Sequence, residues 1–458
     1  MDKTIFENIE KFVQENKDAM FRDIGRLVAV NSVMGESEKG APFGRGPADA
    51  LALALEIARE LGLETRNCED MMGYAQIGEG EDYLATITHL DVVPAGEGWT
   101  GDPFTMRERE GYIIGRGVMD DKGPSVICLY ALKYLKENCA QLRYPVRALL
   151  GVNEENGMGD LDYYLKNYPA PLFCLSPDAN FPVCNGEKGI FHGRIVSNFE
   201  TENIVDIKGG VAANVVPAKC EAWVRAEELE SAGRVSVQRE NGLWHITAEG
   251  IGGHASLPEG TVNAIGVMVN YLLENNVVHG KEAELMKLIS LLNESYDGSA
   301  LGVAADDGRF SPLTIVGGVI GVENGRIFQT IDSRYPTNTS GGKIAAAIKA
   351  KAGDTAEVVT DSDKAPFYMD ENNPAVRVCM EAYTLVTGEK AELYTMGGGT
   401  YARAFPNAAA FGPEHPERPM PDFAGPIHGA DESACMDYFI ETLKIYITAL
   451  LKLENTDF

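Results

Sequence analysis

Residues 83–91 read YLATITHLD, and the fold turns on how this stretch is taken. Tyr83–Thr88 is a short apolar run of strand length, and a histidine and an aspartate follow close behind. Two further runs of the same kind lie downstream, VRALLGV at Val146–Val152 and LFCL at Leu172–Leu175, each followed by polar residues or a turn. Between the first two lies a helical stretch, GPSVICLYALKYLKEN, at Gly123–Asn138. Strand, helix, strand, helix is the signature of an α/β sheet with parallel strands. The polar residues after each run then stand at strand carboxyl ends, where such sheets place their sites.

Outward from this core, residues 5–30 and 47–62 read as amphipathic helices, the second opening on Pro47 and closing on Gly62. Past Asn185 the texture changes to Gly-rich turns, alternating segments at Ala218–Val224 and Leu243–Ala248, and helices near 261–275 and 343–352. After about residue 370 the α/β character returns, ending in a long helix from Glu432 to Leu453. The expected architecture is a mixed, mostly parallel α/β sheet domain in two segments, 1–185 and 371–458, with an α+β domain inserted at 186–370.

Composition narrows the function. With 40 Lys and Arg against 68 Asp and Glu, the 458-residue chain carries a net charge of −28. That field repels phosphate backbones and anionic lipid, so neither nucleic acid nor a membrane surface is an expected partner. No apolar run reaches the length of a membrane-spanning helix, and the acidic amphipathic start does not read as a signal peptide. The eight cysteines are scattered without a CxxC pair. They read as free thiols in a reducing compartment, which makes the cytoplasm the expected location.

Four places put metal-type ligands after a strand-like run or before a helix. In His89-Leu90-Asp91 an extended backbone points residues i and i+2 the same way, so Asp91 can orient the imidazole as a carboxylate partner does at metal sites. In GRGVMDDKG, Asp120 and Asp121 precede a helix start, where capping accounts for one acid better than for two. In NEENG, the adjacent carboxylates Glu154 and Glu155 follow VRALLGV and repel each other unless a cation or donors stand near. Ser176-Pro177-Asp178 follows LFCL and, read alone, is a turn. Only seven histidines exist, and His428, in PIHGADE, could complete the set.

These motifs resemble the M20 metallopeptidases, and within them the dipeptidase V branch of beta-Ala-Xaa and carnosine-type enzymes. The resemblance is carried by THLDVVPAGEGW, GRGVMDDKGP, NEENG, SPDANFPVCNGEKG, NVVPAKCEA, GGHASLPEGTVNA, IDSRYP and MGGGTYARAFPNAAAFG, which follow the family's order over nearly the whole chain. It implies two Zn²⁺ per subunit, a set of ligands that Mn²⁺ or Co²⁺ would also accept. His89 and Asp178 would hold one ion, Glu155 and His428 the other, and Asp120 would bridge them across a cis Asp120–Asp121 peptide. His415, thirteen residues before His428, is the competing imidazole.

The resemblance also implies roles. Glu154 would be the general base toward a water shared by the ions, Asp91 would orient His89, and His254 would stabilise the oxyanion. Asn214, Arg334, Gly398 and Gly399 would contact the substrate, Arg334 through its C-terminal carboxylate. The implied activity is hydrolysis of dipeptides. An M20 deacylase acting on N-acyl or N-succinyl amino acids is the second reading, and a non-catalytic binding module on the same fold is a third. The 186–370 insert is long enough for two lid-like halves, from which a self-sufficient monomer acting on small peptides is expected.

Overall fold

The structure, a computed structural model, describes residues 3–458. The chain forms two compact units, one made of the residues up to Asn185 with Tyr368–Tyr394 and Gly399–Phe458, the other of Gly186–Phe367 with Thr395–Gly398.

The first unit is built on a mixed sheet. Its strands include β1 (Glu64–Cys68), β2 (Met72–Ile77), β3 (Leu84–His89), β4 (Val146–Gly151), β5 (Phe173–Ser176) and β6 (Ala408–Ala410), in the spatial order β1-β2-β4-β3-β5-β6. β3 runs parallel to β4 and β5, and β5 parallel to β6, whereas β1 and β2 are antiparallel additions at one side. Every residue of β3, β4 and β5 is buried, which is why these strands read as unbroken apolar runs rather than alternating ones. Helices Lys3–Val28, Arg45–Glu60 and Lys122–Asn138 form close to where the hydrophobic periodicity puts them.

The C-terminal helix starts later than its apolar pattern indicates. It spans Met436–Leu453, and Ser433–Cys435 instead forms a strand against Tyr112–Ile114. This short sheet brings the segment after His428 beside the loop that carries Asp120.

In the second unit the strands Val235–Glu240, Leu243–Glu249, Lys219–Val224, Ile204–Gly209, Ile320–Glu323, Arg326–Tyr335, Gly189–Ser197 and Ala356–Lys364 follow one another as an antiparallel sheet. The helices Ala264–Glu274, Gly280–Glu294 and Gly341–Ala352 contribute to one apolar core with it. Together the two sheets make a mixed α/β protein. All eight cysteines are free thiols. Among the described residues, no helix is long and apolar enough to cross a membrane.

Candidate metal centre

Parallel strands share one carboxyl edge, and that edge collects the acids. His89 is the last residue of β3, Glu154 and Glu155 follow β4, and Asp178 follows β5. Asp120 lies in the turn before helix Lys122–Asn138 and reaches the same place, and its peptide bond to Asp121 is cis. Asp120 stands between two imidazoles. His89 Nε2 is 2.8 Å from its Oδ1 and His428 Nε2 is 2.8 Å from its Oδ2. His428 Nε2 is also 3.1 Å from Glu155 Oε1. Candidate ligand atoms of His89, Glu154 and Asp178 all lie within 4.8 Å of one another, as do those of His89, Asp120 and Glu155. His415, by contrast, packs among Phe181, Tyr383 and Tyr438, with Nε2 3.6 Å from Glu441. Of the two competing imidazoles, only His428 joins the acids.

The electrostatics are those of a crowded anionic site. Burial, then the charges of Glu155, Asp91 and Asp120, push the Glu154 carboxyl up to about 8. Burial, with the Asp120 charge, raises Asp178 as well. Burial would raise Asp120 too, but contacts with His428 and His89 hold it below the usual carboxylate range. Contacts with Asp120 and Glu155 push His428 up to about 10. Each of these displacements is what a divalent charge at the centre would oppose or replace.

The surroundings hold the set in place. His89 Nδ1 meets the backbone oxygen of Asp91 at 2.9 Å, whereas the Asp91 carboxylate is 3.6 Å away. That carboxylate instead accepts the N–H groups of Glu154 and Glu155 at 3.1 and 3.2 Å. Asp91 therefore orients the imidazole through its main chain and the acid pair through its side chain. Asp160 Oδ2 accepts the N–H groups of Val152 and Asn153 and the hydroxyl of Tyr401. The Tyr401 ring lies so close over Gly151 that a Cβ there would meet its hydroxyl at 2.2 Å.

The largest support is Glu432, which no local motif singles out. Fully buried, it accepts the N–H groups of Gly117, Met119 and Asp120 at 3.0–3.2 Å and pairs with Arg116 at 2.6 Å. Arg116 in turn donates to the backbone oxygen of His428 at 3.2 Å. One buried ion pair thus ties the Asp120 loop to the His428 loop. The available signal was an acid four residues after a candidate ligand histidine and an arginine four residues before a candidate ligand aspartate.

The residues fit divalent cations. Asp120 Oδ1 is buried and receives no well-aligned hydrogen bond. Two imidazoles with carboxylate oxygens form a donor set that Zn²⁺, Mn²⁺ or Co²⁺ accepts.

The remaining predicted residues, Gly399 apart, lie in the second unit. Val215–Val216 pairs with Gly253–His254, and the N–H of Ala255 donates to the oxygen of Asn214 at 2.9 Å, so Asn214 and His254 are neighbours. His254 Nδ1 is 2.7 Å from the hydroxyl of Ser256, whose side chain lies against Gly397. Arg334 is buried and held by Asp332 at 2.8 and 2.9 Å, and its Nη1 donates to the Gly397 oxygen at 3.3 Å. The second unit therefore gathers Asn214, His254, Arg334 and the 397–398 turn, while Gly399 begins the last piece of the first unit.

A parallel-centred α/β sheet with a histidine–carboxylate cluster on its carboxyl edge is the architecture of a candidate metal centre. Residues 85–452 match the model of peptidase family M20/M25/M40; the chain belongs to this family and is a metallopeptidase. It is 31% identical over 471 residues to the beta-Ala-Xaa dipeptidase of Lactobacillus delbrueckii subsp. lactis, covering 98% of this chain and 99% of that one. Solved structures that share the fold include the two that follow. The dipeptidase Dug1p of Saccharomyces cerevisiae does so with TM-score 0.62 and 15% identity over 99% of both chains. Human carnosine dipeptidase 1 does so with TM-score 0.59 and 12% identity over 98% of this chain and 100% of that one.

Proposed function

We propose that the protein is a dipeptidase working with two Zn²⁺. The observation that carries this reading is the convergence of His89, Asp120, Glu155 and His428 around Asp120, with Asp178 and Glu154 on the same edge. His89 and Asp178 would hold one ion, Glu155 and His428 the other, and Asp120 both. Bound there, the ions would make a water acidic near neutral pH and polarise the scissile carbonyl.

The chain's own groups do the rest. Glu154 takes the proton of the attacking water at its carboxylate and returns it to the departing amine nitrogen. Asp91 fixes the backbone of Glu154 and so the direction of that carboxylate. His254 donates to the oxyanion as charge develops, a contact made only on the way to the tetrahedral state. Arg334, pre-set by Asp332, receives the C-terminal carboxylate together with the N–H groups of Gly398 and Gly399, and Asn214 steadies the peptide beside His254. The substrate is a small peptide, and the chain acts as a monomer.

The test is turnover of a dipeptide panel by protein loaded with Zn²⁺, Co²⁺ or Mn²⁺, alongside N-acetyl amino acids. Cleavage of Ala-Xaa in preference to N-acetyl-Xaa supports the reading, the reverse preference turns it into a deacylase, and no cleavage in either set refutes it. Glu154→Ala is expected to abolish turnover while metal content is retained.

A further inference from the structure

The chain has four Asn-Gly pairs, beginning at Asn156, Asn185, Asn241 and Asn324. Asn241–Gly242 and Asn324–Gly325 are the tips of two-residue hairpins, with both residues at positive φ and the flanking pairs Glu240–Leu243 and Glu323–Arg326 in register. Asn185 is buried, and its amide donates to the Met369 oxygen at 2.8 Å. Asn156–Gly157 has none of these restraints. It tops the turn between β4 and the helix Gly159–Asn167, directly after the proposed ligand Glu155, and both residues are exposed. Among the described residues no group holds the Asn156 amide. The Gly157 N–H reaches the Glu154 oxygen only at 3.4 Å, and the space where a Cβ would stand on Gly157 is empty. An unshielded backbone nitrogen beside a free side-chain amide favours intramolecular attack, the chemistry that makes asparagine a heat-labile residue.

We propose that Asn156–Gly157 is a self-modification site, at which deamidation through an internal imide unseats the adjoining acid pair. The Gly157 nitrogen gives its proton to hydroxide and attacks Cγ of Asn156. The N–Cγ bond forms and the Cγ–Nδ2 bond breaks. The departing nitrogen takes a proton from water and leaves as ammonia, which restores the hydroxide. Water then opens the imide at either carbonyl to an aspartyl or an isoaspartyl residue, and nothing is oxidised or reduced. Either product adds a negative charge beside Glu154 and Glu155, where carboxylates already crowd. The isoaspartyl product also lengthens the main chain by a methylene, inside a turn that closes through the Met158 N–H on the Asn153 oxygen at 2.8 Å. Asp91 grips that turn by the N–H groups of Glu154 and Glu155, so lengthening it displaces both acids. The modification rests on the turn alone, and its consequence rests on the metal-centre reading above.

In the experiment, zinc-loaded wild type and Asn156→Gln are held warm at mildly alkaline pH. Samples taken over time are digested for peptide masses, titrated with Zn²⁺ after chelator stripping, and assayed on Ala-Ala. Glutamine keeps an amide but closes a larger ring, so this variant is the slow-reacting control. The expected result is conversion of the Asn156 amide to acid, part of it isoaspartyl, before any at Asn185, Asn241 or Asn324. Zn²⁺ affinity of the converted fraction should fall by about tenfold or more, with turnover lost in proportion. Asn156→Gln should keep both. Conversion at Asn156 no faster than at Asn185, Asn241 or Asn324 overturns the proposal. So does conversion that leaves Zn²⁺ affinity unchanged, or an equal loss of affinity in Asn156→Gln. Wild type inactive on dipeptides at the outset would refute the dipeptidase reading, while the masses and the titration still decide the proposal.

Discussion

Replacing Glu432 by glutamine tests how the loops that carry Asp120 and His428 are held. The side chain keeps its shape and loses its charge. As a carboxylate it accepts three backbone N–H groups on one side and the Arg116 guanidinium on the other. A glutamine amide has a single acceptor oxygen, so whichever way it turns, its NH₂ faces a donor. Breaking a buried ion pair by removing one partner costs about 3–5 kcal/mol. Glutamine retains part of the bonding, so about 3 kcal/mol is expected, against a total of about 5–15 kcal/mol for a folded domain. The variant should therefore fold. At about 2 °C per kcal/mol for a unit of this size, its melting temperature should fall by about 6 °C. Because the same residue fixes Asp120 and, through Arg116, the His428 loop, Zn²⁺ affinity should drop about 10–100-fold. Calorimetric melting and titration of Zn²⁺ into chelator-stripped protein measure the two effects. A melting temperature within about 1 °C of wild type together with unchanged affinity would refute the idea that this pair clamps the site.

Three further outcomes are expected. Stripping metal with a chelator should lower the melting temperature, since four carboxylates then crowd the edge with only the His89 and His428 imidazoles to offset them. Restoring Zn²⁺ to 100 times its Kd should return about 2.7 kcal/mol per ion, read by calorimetry at fixed pH. His415, whose pKa burial lowers to about 4, is neutral in the fold. Its unfolded form binds a proton below about 6.5, so stability is fully present above that pH and is lost as pH falls toward 4, by at most about 3 kcal/mol. His415→Phe should flatten that part of a denaturation-versus-pH curve, and an unchanged slope would assign the acid lability elsewhere. His254→Ala should lower kcat about 100- to 1,000-fold with little change in KM, and a change in KM alone would mean that it binds the ground state instead.

What the sequence made legible follows from range. β3, β4 and β5 are apolar throughout because both faces are covered, and the acids after them mark the carboxyl edge; both are local patterns. His89, Glu154 and Glu155 stand out for that reason, whereas Asp178, a turn when read alone, enters the set only through the family resemblance. Glu432 was read as the start of a helix because local periodicity carries no trace of a partner 316 residues away. Asp160 reads as an ordinary acid in the first turn of a helix until Tyr401, 241 residues later, is placed on it. Asp91 was identified as a partner of His89, but which of its oxygens faces the ring depends on the turn after β3, and the backbone oxygen is the one in contact. The nearness of His254, Ser256 and Gly397 likewise needs the chain to return from residue 395 into the second unit.

The two histidines of the cluster differ greatly in their access to water, His89 being 1% exposed and His428 51%. In the two-ion reading, an ion seated by His89 would exchange all of its hydration shell except the reacting water for protein oxygens and nitrogen. One seated by His428 would keep a side toward water. The inner berth would then load slowly and retain its occupant through a shortage, and the outer one would fill and empty with the surrounding supply, so that turnover would track the free metal around the protein.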